Sequence, residues 1–289
     1  MKSVLSVIAV ALIVCSIALF SVAQTPRENA WSTLDGGLTN KAWEKRAKAV
    51  AVLGELPSDK KAEEAAHAAL NDEREEVRGA ACQALGEMGA KSAIPDLLNM
   101  RNDQEPAVIL AASRALISLG DDAGYNAFYA VLTGQSKTGT SLTDQQKKAL
   151  KDPKKLAGIG LQAGVGFVPF GGLALGGYKL LTRDDTSPVL AGAALVLAKD
   201  PDPKSGQALA EAAATQRKWL VRAAAFDAIA KRGDPSLLQA AIDGLNDSQD
   251  EVQYSAAAAV LRLSDIKAQR KAAPKPAPAK RKPAPKKIP

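Results

Sequence analysis

The sequence has little of what most enzymes and metal proteins use. One histidine and two cysteines occur among 289 residues, which excludes a multi-histidine metal site and a disulfide-rich scaffold. Aromatic residues account for only 4% of the chain, so a hydrophobic core has to consist mainly of alanine, leucine and valine. The fingerprints of zinc proteases, P-loops and dinucleotide-binding folds are also missing. We therefore predict no catalytic residue, no cofactor, no metal and no small-molecule substrate.

The lone histidine and the cysteines do not combine into a reactive site. No serine or cysteine stands at a recognisable nucleophile spacing from His67, which is predicted to be an ordinary surface or interface residue. Cys82 lies beside Ala81 and Leu85 on an apolar helical face. It is predicted to be a buried small hydrophobe rather than a reactive thiol.

The net charge of +7 belongs to the last nineteen residues, which hold seven cations and no acid. These cations are Lys271, Lys275, Lys280, Arg281, Lys282, Lys286 and Lys287. Prolines and alanines alternate with them, which predicts a disordered tail over 267–289. The tail is either a solvated spacer or an arm that binds an anionic envelope polymer or a membrane surface. Its charge would equally suit nucleic acid.

The N-terminus has the pattern of a secretory signal peptide. Lys2 precedes an apolar run from Val4 to Phe20, and small residues follow up to Ala23. We predict export to the periplasm or the medium with cleavage after Ala23, the alternative being a retained membrane anchor. Export makes nucleic acid a disfavoured partner.

An internal repeat of about thirty-one residues is the strongest signal in the chain. Aligned segments carry alanine at position four and an aliphatic residue at position eight, on one helical stripe with position zero. The segments begin at Lys45, Val77, Val108, Val189, Val221 and Val252, so the third spacing is 81 residues and the others are 31 or 32. The alanines at position four are Ala49, Ala81, Ala112, Ala193, Ala225 and Ala256.

Each segment is predicted to be the second helix of a pair. Apolar partner helices precede four of them, at 62–70, 93–98, 205–214 and 237–245. An aspartate five residues before the segment start is predicted to cap the second helix, and a glycine twelve residues after it to end that helix. The aspartates are Asp72, Asp103, Asp184 and Asp247, and the glycines are Gly89, Gly120 and Gly233.

The repeat resembles the HEAT-like repeats of phycobilisome lyase-type proteins. The matching residues are Asp72, Glu76-Val77-Arg78, Ala80-Ala81, Ala84-Leu85-Gly86 and, in a later copy, Val221-Arg222-Ala223-Ala224. The resemblance covers roughly 41–132 and 188–265 and implies an all-α solenoid of about six helix pairs that binds rather than catalyses. Ile109 and Gln253 stand where the pattern has arginine, which argues against a regular arginine ladder.

Polar side chains on the second helices are the candidate contacts for a protein partner. They are Arg78, Gln83, Arg114 and Arg222. The alternative is that they are solvated or join neighbouring repeats.

An uncharged, glycine-rich segment over 156–177 interrupts the repeats. It is either a glycine-zipper hairpin that contacts a membrane or a plug packed on the solenoid, and a phosphate-binding loop is disfavoured because it lacks a P-loop lysine. The candidate membrane-contacting residues are Leu156, Ile159, Leu161, Val165, Phe167, Phe170, Leu173 and Leu175.

The predicted organisation consists of six regions: signal peptide 1–23, linker 24–40, repeats 41–132, insert 133–187, repeats 188–266 and tail 267–289. The function that fits best is a non-enzymatic exported scaffold that binds a protein, with its tail on an anionic surface. The alternative is a membrane-anchored adaptor that acts through 156–177. A third hypothesis is a helper in enzyme maturation.

Overall fold

The computed structural model describes residues 24–125 and 187–272, and all regular secondary structure in these two ranges is helical. The α-helices are α1 Pro26–Leu38, α2 Trp43–Ala51, α3 Lys60–Ala69, α4 Glu75–Met88, α5 Ile94–Met100, α6 Pro106–Ser118, α7 Ser187–Leu197, α8 Pro203–Thr215, α9 Trp219–Arg232, α10 Leu238–Gly244 and α11 Asp250–Ala272. The predicted all-α class is confirmed. The signal segment 1–23, the glycine-rich segment 156–177 and residues 273–289 lie outside the described residues.

The six predicted second helices are all present, as α2, α4, α6, α7, α9 and α11. The position-four alanine is fully buried in five of them, so neighbouring helices approach closely along this stripe. In α7 the prediction is wrong, because Ala193 is exposed and the buried face carries Ala191 and Ala194 instead. Within the described part of the chain, α7 packs mainly on α9 and touches α8, so it is covered on one side only.

Glycines end the second helices as the sequence predicts. Gly89 follows α4 with φ 73° and Gly233 follows α9 with φ 65°. Gly120, after α6, also has a positive φ, of 84°. A side chain in this left-handed conformation is strained, so glycine fits these three positions better than any other residue.

Residues 24–40 form a helix rather than the predicted linker. The hydroxyl of Thr25 accepts a hydrogen bond from the backbone N–H of Glu28, and the Glu28 carboxylate accepts one from the backbone N–H of Thr25. This capping box, with Pro26 in the first turn, starts α1. Ala30 and Leu34 are fully buried, so α1 completes the first helix pair.

The last helix also runs beyond its predicted end. Residues 267–272, which we assigned to the tail, continue α11. Lysine, alanine, glutamine and arginine in this stretch favour helix, and the first proline is Pro274. Arg270 and Lys271 lie in the last turn, where cations interact favourably with the helix dipole.

The two halves of the chain form one stack in which the C-terminal half comes before the N-terminal half, while the helices within each half keep their sequence order. The C-terminal half (187–272) comes first, as α7, α9 and α11, and the N-terminal half (24–125) follows, as α1 with α2, α4 and α6. Helix α11 packs along α1 and touches α2 and the 3₁₀ turn Val52–Glu55. We use the word junction for the contacts of α11 with α1, α2 and this turn, together with the contact of α9 with the same turn. Helices α6 and α7 therefore lie at opposite ends of the stack.

Two glycines in α4 test how tightly the second helices are packed. A Cβ atom at Gly86 would lie 2.9 Å from the Cα of Ala115 in α6, whereas a Cβ at Gly79 would have no atom within 4 Å. We expect Gly86→Ala to lower the free energy of unfolding by about 2 kcal/mol, because backbone has to move. Gly79→Ala is the control and is expected to raise it by about 0.5–1 kcal/mol. Urea unfolding of both variants checks this, and two changes of the same sign would contradict the packing.

Candidate functional site

An arginine near the start of a second helix joins each of three repeats to the next. The guanidinium of Arg78 donates from Nε and Nη2 to the two carboxylate oxygens of Asp103, at 2.8 and 2.9 Å. Its third nitrogen, Nη1, donates to the backbone oxygens of Asp72 and Glu73, at 2.9 and 3.2 Å. One side chain thus binds the turn of its own repeat and the turn of the following repeat.

The same joint recurs in both halves of the chain. Arg46 binds Asp72 with both distances at 2.8 Å, and Arg222 binds Asp247 at 2.7 and 2.8 Å. The hydrogen bonds from Arg46 hold the pKa of Asp72 below its ordinary value. The bidentate geometry is the strong form of an arginine–carboxylate pair, so these pairs fix the spacing between repeats.

The aspartates do not cap the second helices as we predicted. Asp72, Asp103 and Asp247 each accept a backbone N–H bond two residues further on, which is one residue before the helix starts. They shape the turn and leave carboxylate oxygens for the arginine of the preceding repeat. Asp184 lies outside the described residues.

The arginine ladder is irregular where the sequence predicts it, at Ile109 and Gln253. The side-chain amide of Gln253 in α11 donates to the backbone oxygen of Asp247, six residues earlier. In the arginine joints, Nη1 donates to the backbone oxygen at the same relative position. Ile109 is fully buried in α6. Of the four predicted contact residues, Arg78 and Arg222 are thus engaged in repeat joints. That any of the four contacts a partner stays a prediction.

A second set of polar side chains lies at positions six and ten of the second-helix alignment, and we call it the polar row. It consists of Gln83, Arg114 and Asp227 at position six and Glu55, Glu87, Lys231 and Arg262 at position ten. Positions six and ten are one helical turn apart on one face. The row therefore crosses the stack from α9 to α6, and it includes the other two predicted contact residues, Gln83 and Arg114.

The polar row is most crowded at the junction. The Nζ of Lys231 in α9 lies 2.9 Å from Oε1 of Glu55. Arg262 of α11 donates from Nη1 to the backbone oxygen of Glu55, at 2.8 Å. Lys231 thus reaches Glu55 past the intervening helix α11.

Burial changes the acid–base properties of the junction. Desolvation raises the pKa of Glu55, although the charge of Lys231 opposes this. Desolvation, with the charge of Glu55 second, raises the pKa of Asp227 to about 7. Oδ1 of Asp227 is buried without a hydrogen bond, and the hydroxyl of Ser255 in α11 lies close enough to Asp227 to oppose the rise of its pKa.

Three further ion pairs cross the junction. Arg27 in α1 binds Asp265 in α11 at 2.5 Å, and Lys45 binds Asp250 at 2.5 Å. Lys48 pairs with Glu251, and its Nζ also lies 5.4 Å from the ring centre of Trp219. Charged side chains therefore contribute to the junction, together with a hydrophobic core that continues from one half into the other.

The histidine and the cysteine have structural positions. Nδ1 of His67 in α3 lies 2.9 Å from the carboxylate of Asp96 in α5, which makes it an interface residue as predicted. Cys82 is fully buried, and desolvation raises the pKa of its thiol to about 12. Within 24–125 and 187–272, no group of three histidine, cysteine or acidic side chains is placed to hold a metal ion.

The sequence pattern of HEAT repeats matches residues 34–132 and 178–262. The chain belongs to the HEAT repeat family. This agrees with the predicted resemblance and with the predicted α-solenoid. In the part of the HEAT protein that the structure describes, no helix has the length and apolar character needed to cross a membrane.

Comparison with other proteins adds little beyond the family. No curated protein sequence matches the chain. Human deoxyhypusine hydroxylase in complex with glycerol is similar over 83% of this chain and 97% of its own, with 17% identity and a TM-score of 0.34. The CpcE–CpcF complex of phycocyanin lyase from Nostoc sp. PCC7120 is similar over 87% of this chain and 97% of its own, with 20% identity and a TM-score of 0.32.

Proposed function

We propose that this HEAT repeat protein is a non-enzymatic scaffold that binds a protein partner along its polar row. The observation that carries the proposal is that one face of the stacked second helices presents charged and amide side chains from successive repeats. Repeat stacks use such extended surfaces for binding. Half-buried Gln83 and exposed Glu87 and Arg114 lie toward the α6 end of the row, where a partner has access to it.

An aromatic side chain beside the junction supports the same function. Trp219 at the start of α9 is 37% exposed and lies against Lys48, which comes from the other half of the chain. Tryptophan next to charged groups is typical of the residues that dominate protein interfaces. A partner that spans the row would contact both halves of the stack.

Capture of the partner tests this function. The bait is the full chain, cross-linked in an envelope extract of the source cells, and the variant combines Gln83→Ala with Arg114→Ala. We expect the variant to retain less than about a tenth of the captured partner, since interface contacts contribute about 1–2 kcal/mol each. The matched control combines Glu64→Ala with Asn99→Ala, which are exposed on the first helices α3 and α5. Equal capture by both double variants would contradict the proposed surface.

We further propose that the scaffold is exported by segment 1–23 and held to an anionic envelope surface by the cations of residues 273–289. The opposite signs of tail and repeats support this: residues 24–125 carry more acidic than basic side chains, whereas residues 273–289 carry six cations and no acid. A segment that carries only positive charge attracts anionic lipid or polymer at long range.

Salt dependence tests the tail. We expect the full chain to bind vesicles that contain anionic lipid at about 50 mM salt and to be released at about 500 mM, because salt screens surface charge. Removal of residues 273–289 should abolish this salt-sensitive binding, and neutral vesicles are the control. Binding that is unchanged by the deletion would contradict the arm, and binding that resists salt but needs 156–177 would favour the membrane adaptor.

A further inference from the structure

The two halves of the protein meet through a cluster of five ionisable side chains. The N-terminal half contributes Glu55 and Glu87, and the C-terminal half contributes Asp227, Lys231 and Arg262. Within the N-terminal half, Gly54 lets the turn Val52–Glu55 lie close to α4, because a Cβ there would lie 2.6 Å from Oε2 of Glu87. The cluster therefore sits where α9, α11, α4 and the turn Val52–Glu55 come together.

The charges of this cluster do not balance when every group is ionised. Three carboxylates face two cations, so the cluster is neutral only when it holds one extra proton. Asp227 is the group best placed to take that proton, because Lys231 pairs with Glu55 and Arg262 donates to the backbone of the same residue, whereas Oδ1 of Asp227 has no hydrogen-bond partner. An unpaired buried carboxylate is strongly disfavoured relative to its neutral form.

We propose that the junction is a proton-dependent latch: a proton on Asp227 closes the two halves into one stack, and its loss above neutral pH loosens their contact. The direction of this pH effect follows from the half of the chain to which each charged group belongs. Asp227 lies in the C-terminal half, and the carboxylate of Glu55, whose charge acts on it most strongly, lies in the N-terminal half. Ionisation of Asp227 thus adds repulsion between Asp227 and Glu55 across the junction. Lys231 attracts both carboxylates, but it lies in the C-terminal half only.

The surroundings of Asp227 are consistent with a switch near neutral pH. The groups that face it are Glu55 from the 3₁₀ turn, Glu87 from α4, Lys231 from its own helix and Ser255 from α11, with Arg262 of α11 beside Glu55. Burial and the charge of Glu55 together raise its pKa to about 7. The other ion pairs across the junction are Arg27 with Asp265 and Lys45 with Asp250, which are partly exposed and contribute little each, and the less exposed pair Lys48 with Glu251.

Distance measurements between the halves test the latch in the full chain. Spin labels are placed at Glu64→Cys in α3 and Gln207→Cys in α8, both exposed positions. The native Cys82 is buried and stays unlabelled, and the second native cysteine, Cys15, is replaced by serine. We expect one narrow distance distribution at about pH 5.5 and an additional, longer component at about pH 8.5, since a group with a pKa near 7 changes from mostly protonated to mostly ionised over this interval.

The variant Asp227→Asn removes the ionisation but keeps the shape of the side chain, so its distribution should stay narrow at both pH values. The matched control is Asp243→Asn, an exposed carboxylate on α10, which should behave like the wild type. Far-ultraviolet circular dichroism confirms that helices persist at the higher pH. A wild-type distribution that does not change with pH, or a longer component that persists in Asp227→Asn, would overturn the proposal.

Discussion

Replacement of Arg222 by alanine is expected to lower the free energy of unfolding by about 3 kcal/mol, since it breaks a largely buried ion pair and leaves the partner carboxylate behind. Asp247 would lose two hydrogen bonds, and the backbone oxygens of Gln216 and Arg217 would lose the donor that Nη1 supplies. A loss of this size corresponds to a fall in Tm of roughly 6–10 °C for a chain of this length.

The neighbouring Arg217→Ala is a matched control. Arg217 is exposed and five residues away, and only its backbone oxygen takes part in the joint. We expect this variant to change the free energy of unfolding by less than about 0.5 kcal/mol. Urea unfolding followed by circular dichroism measures both. Similar midpoints for the two variants would show that the arginine joint contributes nothing to the stacking of repeats.

The helix pairs could be predicted from the sequence because their signals are local. Alanine at position four and an aliphatic residue at position eight define the buried stripe of one helix. The glycines at 89, 120 and 233 end second helices through backbone conformation alone. The six-fold recurrence of the pattern then fixes a stack, since a single pair cannot bury its stripe.

Helix α1 could have been predicted as well. Thr25-Pro26-Arg27-Glu28 is a capping box with proline in the first turn, and Ala30 and Leu34 follow at helical spacing. The segment was assigned to a linker because it lacks the alanine pattern of the second helices. It is a first helix, and its stripe packs on α11.

The junction could not be predicted from repeat periodicity. Its contacts join residues far apart in the sequence, such as Arg27 with Asp265, which are 238 positions apart, and every repeat presents a similar apolar stripe to its neighbours. No local pattern specifies that the last repeat packs on the first. The polar row could have been predicted from the sequence, however, because the same alignment places Glu55, Glu87, Lys231 and Arg262 at position ten.

The same junction predicts an unusual dependence of stability on pH. The pKa of Asp227 in the folded protein is about 7, above its ordinary value of 3.8. A group of this kind stabilises the fold fully below its ordinary pKa, and that stabilisation is lost as the pH rises through the folded pKa. Each pKa unit corresponds to about 1.4 kcal/mol, so ionisation of Asp227 is expected to lower the free energy of unfolding by about 4 kcal/mol between pH 4 and pH 8.

Asp227→Asn should therefore affect stability little at the acidic end of this range and strongly at the basic end. Near pH 4 the asparagine replaces a neutral acid of the same shape, and we expect a change of less than about 1 kcal/mol. Near pH 8 it removes a buried charge that faces Glu55, and we expect the variant to be more stable than the wild type by about 3–4 kcal/mol. Urea unfolding at several pH values measures both curves. A wild-type protein that is at least as stable as the variant at pH 8 would mean that Asp227 is ionised at no cost in the folded protein.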